Sequence, residues 1–221
     1  TYLAMGRKGD AAALAEGLID GQLFSLADFS SIFRGKTNAE EIFTFANLIQ
    51  ESSVNLSSYY YTKDSGVGGA YNFMPTAEAM NMYSESDRRK EVSVAMQGSN
   101  PVLNKYCGGD AGRDPIYIVR LAEMYLISAE AQGVEKGLGR LNELRQMRGL
   151  EKIFPGSENE FINAVLDERR LELLCEGHRW YDLVRTGKAV EKLGIKEYQT
   201  LMPIPEAERQ TNRNLTQNEG Y

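Results

Sequence analysis

The stretch ENEFINAVLDERRLELLCEGHRWYDLVRTG, residues 158–187, constrains the fold more than any other part of the chain. Wound at about 100° per residue from Ile162, it brings Val165, Leu166, Leu173, Trp180, Leu183 and Val184 within about 60° of one line. The spacing predicts one long buried helix, entered near Ser157–Asn159 and closed by Gly187, with Trp180 in the core and Gly177 a point at which the helix could be interrupted. Arg169 and Glu176 fall inside the same stripe. A charge there must be paired, because a bare buried charge is strongly destabilising. Seven residues of helix separate the two by about 10.5 Å, so they cannot touch directly. Glu172 lies between them and can reach either. A second helix, expected from Arg120, is apolar nearly all round yet carries Arg120, Glu123 and Glu130. Arg120, Glu123, Glu130, Arg169, Glu172 and Glu176 are therefore expected to form an interhelical ion-pair network. The rival is a glycosidase-like pair of carboxylates, which needs two carboxyls about 5–9.5 Å apart across a cleft. Here the glutamates have arginine neighbours instead.

The same stretch holds the only histidine of the chain and one of its two cysteines. On the helical wheel Cys175, His178 and Asp182 share a face about 160–220° round, opposite the buried stripe. A cysteine nucleophile also needs a depressed pKa and an oxyanion hole, and no motif supplies them. A zinc site needs a fourth donor, and Cys107 is the only other cysteine. No catalytic residue, metal or cofactor is expected, and the three are read as local packing and hydrogen bonding.

Elsewhere helices alternate with turns. Residues 1–29 read as a helical hairpin of tetratricopeptide type, with a turn and cap at Gly9–Asp10 and a stop at Gly21. Glu40–Leu48 fits a strand or a short helix, and residues 50–75 read as a long polar, aromatic loop. Further helices are expected from Thr76, from Arg120 to Gly133, and across GLGRLNELRQMRGL. Pro203 and Pro205 predict an extended tail. The fold class is mainly α: tetratricopeptide-like helical hairpins forming a superhelix, with an irregular loop-rich portion containing short strands. The expected division is a helical scaffold (1–49 and 113–192), a loop-rich ligand-side region (50–112) and a C-terminal strap (193–221). No exact internal repeat is present. With net charge −6, a pI near 5.1 and no basic block, the chain is a poor match for nucleic acid. No run is long and apolar enough for a transmembrane helix.

Several segments, in order, carry a resemblance. ERRLELLCEGHRWYDLVRTG resembles the signature of the SusD/RagB family of outer-membrane nutrient-binding lipoproteins. RDPIYIVRLAEMYLISAEA is similar to that family's strand-into-helix run, LNELRQMRGL to its Leu-Asn-x-x-Arg helix, and LMPIP with NLTQNEGY to its closing segment, with Glu219 where proline is usual. IFRGKTNAEEIF and PTAEAMNMYSESDRR fit more loosely. The resemblance implies a non-catalytic cell-surface protein that captures glycans, or in some members peptides, for a SusC-like TonB-dependent outer-membrane transporter. It also implies an N-terminal lipoprotein signal and lipid anchor absent from this chain, so the chain is expected to be the C-terminal part of a member, or a short one. A helical-repeat scaffold that binds only protein remains open, and an enzyme is a distant third reading.

Sugars present an apolar C–H face that stacks on aromatic rings and a rim of hydroxyls that needs planar hydrogen bonders. The long loop offers Tyr59, Tyr60, Tyr61, Tyr71 and Phe73, with Asn72, Lys63 and Asp64 as polar companions. Long loops in compact domains are commonly functional. Alternating tyrosines are equally good strand residues, and Phe73 could serve only to anchor the loop. A loop mostly of Tyr, Ser and Gly leans to glycan over peptide.

Overall fold

The computed structural model describes residues 1–35, 38–48, 50, 54–67, 69–108 and 113–221. Two compact units, Thr1–Glu176 and Gly177–Tyr221, divide the chain. This division falls well before residue 193, where the proline-rich tail was expected to begin.

The first unit runs α1 (Lys8–Asp20), α2 (Phe29–Arg34), β1 (Glu41–Phe45), α3 (Leu56–Tyr60), α4 (Ala77–Asn81), α5 (Lys90–Ser93), β2 (Val94–Gln97), β3 (Asn100–Leu103), β4 (Ile116–Arg120), α6 (Leu121–Met147) and α7 (Glu158–Glu172). The fold is the mainly helical, tetratricopeptide-like one expected. α1 packs on α6 and α6 on α7, and one core of Ala122, Leu126, Leu141, Leu144, Phe161 and Val165 joins the last two. α6 is two helices fused at a sharp break, for Gly133 has φ 70° and ψ −177°. Glycine alone adopts that conformation without strain. Gly137 completes the fold-back, since a Cβ there would stand 2.1 Å from the Ala129 carbonyl oxygen.

β1 pairs antiparallel with β4 through an irregular register, and β2 with β3 as a hairpin. Segment 40–48 therefore resolves as strand. The helices begin where side chains can satisfy the free N–H groups: Asp28, Asn55, Thr76 and Ser157 each accept from a first-turn amide of α2, α3, α4 and α7.

Four expectations are corrected. The turn placed at Gly9–Asp10 lies earlier, at Gly6 (φ 71°), and Gly9 sits inside α1, where Arg7 and Asp10 pair at 2.7 Å. The region 50–75 contains α3 and a 3-10 turn over Lys63–Ser65. The 158–187 helix ends at Glu172, because Cys175 (φ 62°) and Gly177 (φ 84°) reverse the backbone before α8 (Arg179–Arg185). The wheel phase does not carry across that break. Asp182, expected on the outer face, is buried, while Trp180 is only half-buried.

The second unit holds α8, α9 (Ala189–Leu193) and α10 (Glu206–Thr211). α10 corrects the fully extended tail. Pro205 stands at the cap position, where no N–H is needed, and so starts the helix instead of blocking it. The segment is cross-tied by Gln217, whose Oε1 accepts from Ile204 N–H at 2.7 Å and whose Nε2 donates to Ile204 O at 3.0 Å.

Candidate functional site

Beneath the aromatic loop lies a buried cluster of charge. Glu172, fully buried on α7, accepts from Arg120 Nη1 (2.5 Å), Arg148 Nη2 (2.9 Å), Arg148 Nε (3.0 Å) and Arg89 Nη1 (3.0 Å). Glu176 accepts from Arg120 Nε (2.8 Å) and Lys105 Nζ (2.8 Å), and Glu40 from Arg148 Nη2 (2.6 Å). Asp87 takes Arg89 side-on, and Glu168 pairs with Arg145 at 2.7 Å. Glu168 Oε1 also stands 2.6 Å from Arg89 Nη1, as an ion pair without hydrogen-bond alignment. Four buried cations (Arg89, Lys105, Arg120, Arg148) and Arg145 thus meet five buried carboxylates (Glu40, Asp87, Glu168, Glu172, Glu176). The set is neutral, which is the condition for burying so many charges. Burial pushes the Glu172 carboxyl up, but Arg148, Arg120 and Arg89 outweigh it and hold it well below the usual carboxylate range. Phe29 and Phe33 lie 4.9–5.9 Å from these cations, so ring faces add to their solvation.

The structure brings Arg120, Glu172 and Glu176 of the sequence-derived set into this cluster. It places Arg169 with Glu123 instead, at 3.6 Å, and buries Glu130 separately on α6. Sequence reasoning missed Arg89, Lys105, Arg148, Glu40, Asp87 and Glu168. The one available signal was stoichiometric, because a carboxylate in an apolar stripe demands guanidinium partners. Nothing in the sequence said which of the many arginines answer it.

The aromatic loop divides in two. Tyr60, Tyr61 and Tyr71 are half-buried anchors. Tyr60 stacks on buried Tyr106 (centroids 6.2 Å, 19°). The Tyr61 hydroxyl donates to Asn104 Oδ1, and the Tyr71 hydroxyl donates to the Pro101 carbonyl at 2.6 Å. Burial pushes the Tyr60 and Tyr61 phenols up to about 12. Backbone bonds clamp the loop onto α3: Ala70 N–H donates to Ser58 O (2.6 Å), Tyr71 N–H to Tyr61 O (3.1 Å) and Phe73 N–H to Tyr59 O (3.0 Å). Tyr71, at φ 52°, makes the turn that aims the next residues outward. Tyr59 (43% exposed) and Phe73 (58%) are the rings left facing solvent, 6.1 Å apart and tilted by 49°, with Asn72 exposed beside them. Lys63 and Asp64, the expected polar companions, are exposed in the 3-10 turn.

Cys175 belongs to the first unit, and His178 and Asp182 to the second. Cys175 packs beside the Tyr83–Val94–Leu103 cluster, and burial pushes its thiol up to about 11, so it stays protonated at neutral pH. Asp182 pairs with Arg185 at 2.8 Å. No group of three His, Cys, Asp or Glu side chains suited to a metal occurs among the described residues. No helix among them is long and apolar enough to cross a membrane.

The geometry shows a helical scaffold welded by buried charge that carries a clamped aromatic loop. The comparisons place it more narrowly. Residues 102–199 match the model of the SusD family. The chain is 36% identical over 122 residues to the starch-binding protein SusD of Bacteroides thetaiotaomicron, covering 48% of this chain and 21% of that one. Its structure superposes on a SusD superfamily protein from Bacteroides vulgatus with a TM-score of 0.82 at 21% identity, covering 100% of this chain and 60% of the other. A laminarin-binding SusD-like protein matches at TM-score 0.73 and 26% identity, with the same coverage. Over residues 102–199 the chain is similar to the SusD family. It spans only about a fifth of the starch-binding relative and three fifths of each solved chain.

Proposed function

We propose that this chain is the glycan-capturing part of a non-catalytic cell-surface lipoprotein, which binds an oligosaccharide and hands it to a SusC-like TonB-dependent transporter in the outer membrane. The observation that carries the binding step is the Tyr59–Phe73 pair, two solvent-facing rings whose backbone is held by main-chain bonds, with Phe73 also resting against Tyr60 at 6.2 Å. A pre-ordered aromatic platform adds contact area at low entropic cost. Asn72 beside it offers an amide to the hydroxyl rim of a sugar. The relatives named for starch and laminarin support a glycan over a peptide. Surface location, lipid anchor and transporter partner rest on the similarity to the SusD family.

Affinity electrophoresis through gels holding starch, laminarin and other polysaccharides tests the reading. Retardation by one polysaccharide, abolished in a Tyr59→Ala/Phe73→Ala double variant, supports it. Tyr60 and Tyr61 are left intact in that variant, because they are anchors. Unretarded migration in every gel sinks glycan capture and leaves peptide capture to be tried.

A further inference from the structure

We propose a second carbohydrate-binding groove, on the opposite chemistry of the fold: the helical scaffold, along the second half of α6. A groove of about 460 Å³ lies between that helix and the 150–156 loop. This volume is within the range of small-ligand sites, about 300–1,000 Å³. Phe154 forms one wall and is 79% exposed. A single exposed apolar residue would need no explanation, but this ring is built into place. Asn142, nearly fully buried, grips the residue before it from both sides: its Oδ1 accepts from Ile153 N–H at 2.9 Å and its Nδ2 donates to Ile153 O at 3.0 Å. Arg145 Nε donates to Glu151 O at 3.1 Å, and Pro155 follows directly. The fold thus fixes the backbone that carries a large ring exposed to water, in a groove it lines together with Val134 and Leu138, about one helical turn apart.

The rest of the lining selects the occupant. Glu135, Glu143, Gln146 and Lys152 border the ring, giving planar carboxylates, an amide and one ammonium. Glu143 is already paired with Arg140 at 3.1 Å, so Glu135 and Lys152 leave the lining near neutral, with no net charge to attract a charged polysaccharide. An extended peptide would need main-chain partners for its amides, and the wall is a helix whose backbone bonds are already internal. A neutral oligosaccharide needs neither. Its C–H face fits Phe154, and its vicinal hydroxyls suit the side-chain acceptors and donors.

Gly139 provides a clean test. It lines the groove, and a Cβ there meets nothing within 4 Å. Gly139→Leu fills the groove while improving helix propensity, so melting temperature should hold or rise. Amide chemical shifts would be followed in the intact chain as laminarihexaose or maltohexaose is added at millimolar concentration. With at least one of them, shifts are expected at Gly139, Glu143 and Phe154, and they should persist in the Tyr59→Ala/Phe73→Ala variant. In Gly139→Leu and in Phe154→Ala the apparent Kd should rise about tenfold or more. Shifts confined to residues 59–73, or groove shifts undiminished in Gly139→Leu, overturn this site and leave the loop reading standing. Silence in both regions with both sugars defeats both.

Discussion

The charged cluster under α7 and the aromatic loop above α3 use reactive-looking residues to opposite ends. In the cluster each carboxylate is matched to cations from distant parts of the chain, as Glu172 is by Arg89, Arg120 and Arg148. Its charges are balanced among the described residues, and the cluster holds together β4, α5, α6 and α7. In the loop the polar work is done by the main chain and by the hydroxyls of Tyr61 and Tyr71, which frees the rings of Tyr59 and Phe73. Dense charge here serves structure, and in the proposed function the sparse aromatics serve recognition. Substitutions in the two regions should therefore separate stability from binding.

The largest loss of stability is expected from Glu172→Gln. It leaves the buried cluster one negative charge short where Arg89, Arg120 and Arg148 converge, although each keeps another carboxylate partner, and breaking a buried pair costs about 3–5 kcal/mol. Urea unfolding measures it, and a loss below about 1 kcal/mol would show that the cluster is not the structural keystone. The pH dependence follows with a fixed sign. The folded Glu172 carboxyl lies well below its ordinary value, and Glu176 is also lowered. Their stabilisation is complete above the unfolded carboxylate pKa, about 4.3, and is lost as pH falls through the depressed folded values. Thermal melts should show the wild type falling steeply on the acid side of pH 4. Glu172→Gln, lacking the main contributor, should fall less steeply.

How far the sequence reaches differs between these two regions. The 3.6-residue pattern of Val165, Leu166 and Leu173 shows that α7 is buried, and the charge in its stripe shows that a network must exist. The partners Arg89, Lys105 and Arg148 are unreadable because they come from 24 to 83 residues away, and many surface arginines look the same in a list of letters. The break after Leu173 is only half legible, for another reason: Gly177 marks a point of interruption, but the helix ends before it. It depends on Cys175 taking a left-handed conformation that few non-glycine residues adopt. In the loop, six residues are legible as a group from composition, but anchor and platform are not. Tyr59, Tyr60 and Tyr61 are neighbours of one chemistry, and only the three-dimensional positions of Tyr106, Asn104 and Pro101 decide which rings turn inward.

Tyr71→Phe should have an intermediate effect. It removes the hydroxyl that donates to the Pro101 carbonyl and leaves the ring, which costs about 1 kcal/mol. Because that bond fixes the turn before Asn72 and Phe73, polysaccharide retardation should weaken without vanishing. Full retention of binding with the same loss of stability would make Tyr71 an anchor only.

The smallest effect on stability is expected where the effect on binding is greatest. Phe73 is more than half exposed, and its place is set by the bond from its own N–H to Tyr59 O, which alanine preserves. Phe73→Ala should therefore shift the unfolding free energy by no more than about 0.5 kcal/mol. Its ring, however, is half of the solvent-facing platform, so retardation in the responsive polysaccharide gel should largely disappear. A destabilisation of 2 kcal/mol or more, on the order of a core truncation, would mean that the ring is packing and not platform. The division between a welded interior and a presenting surface would then fail at the residue on which it most depends.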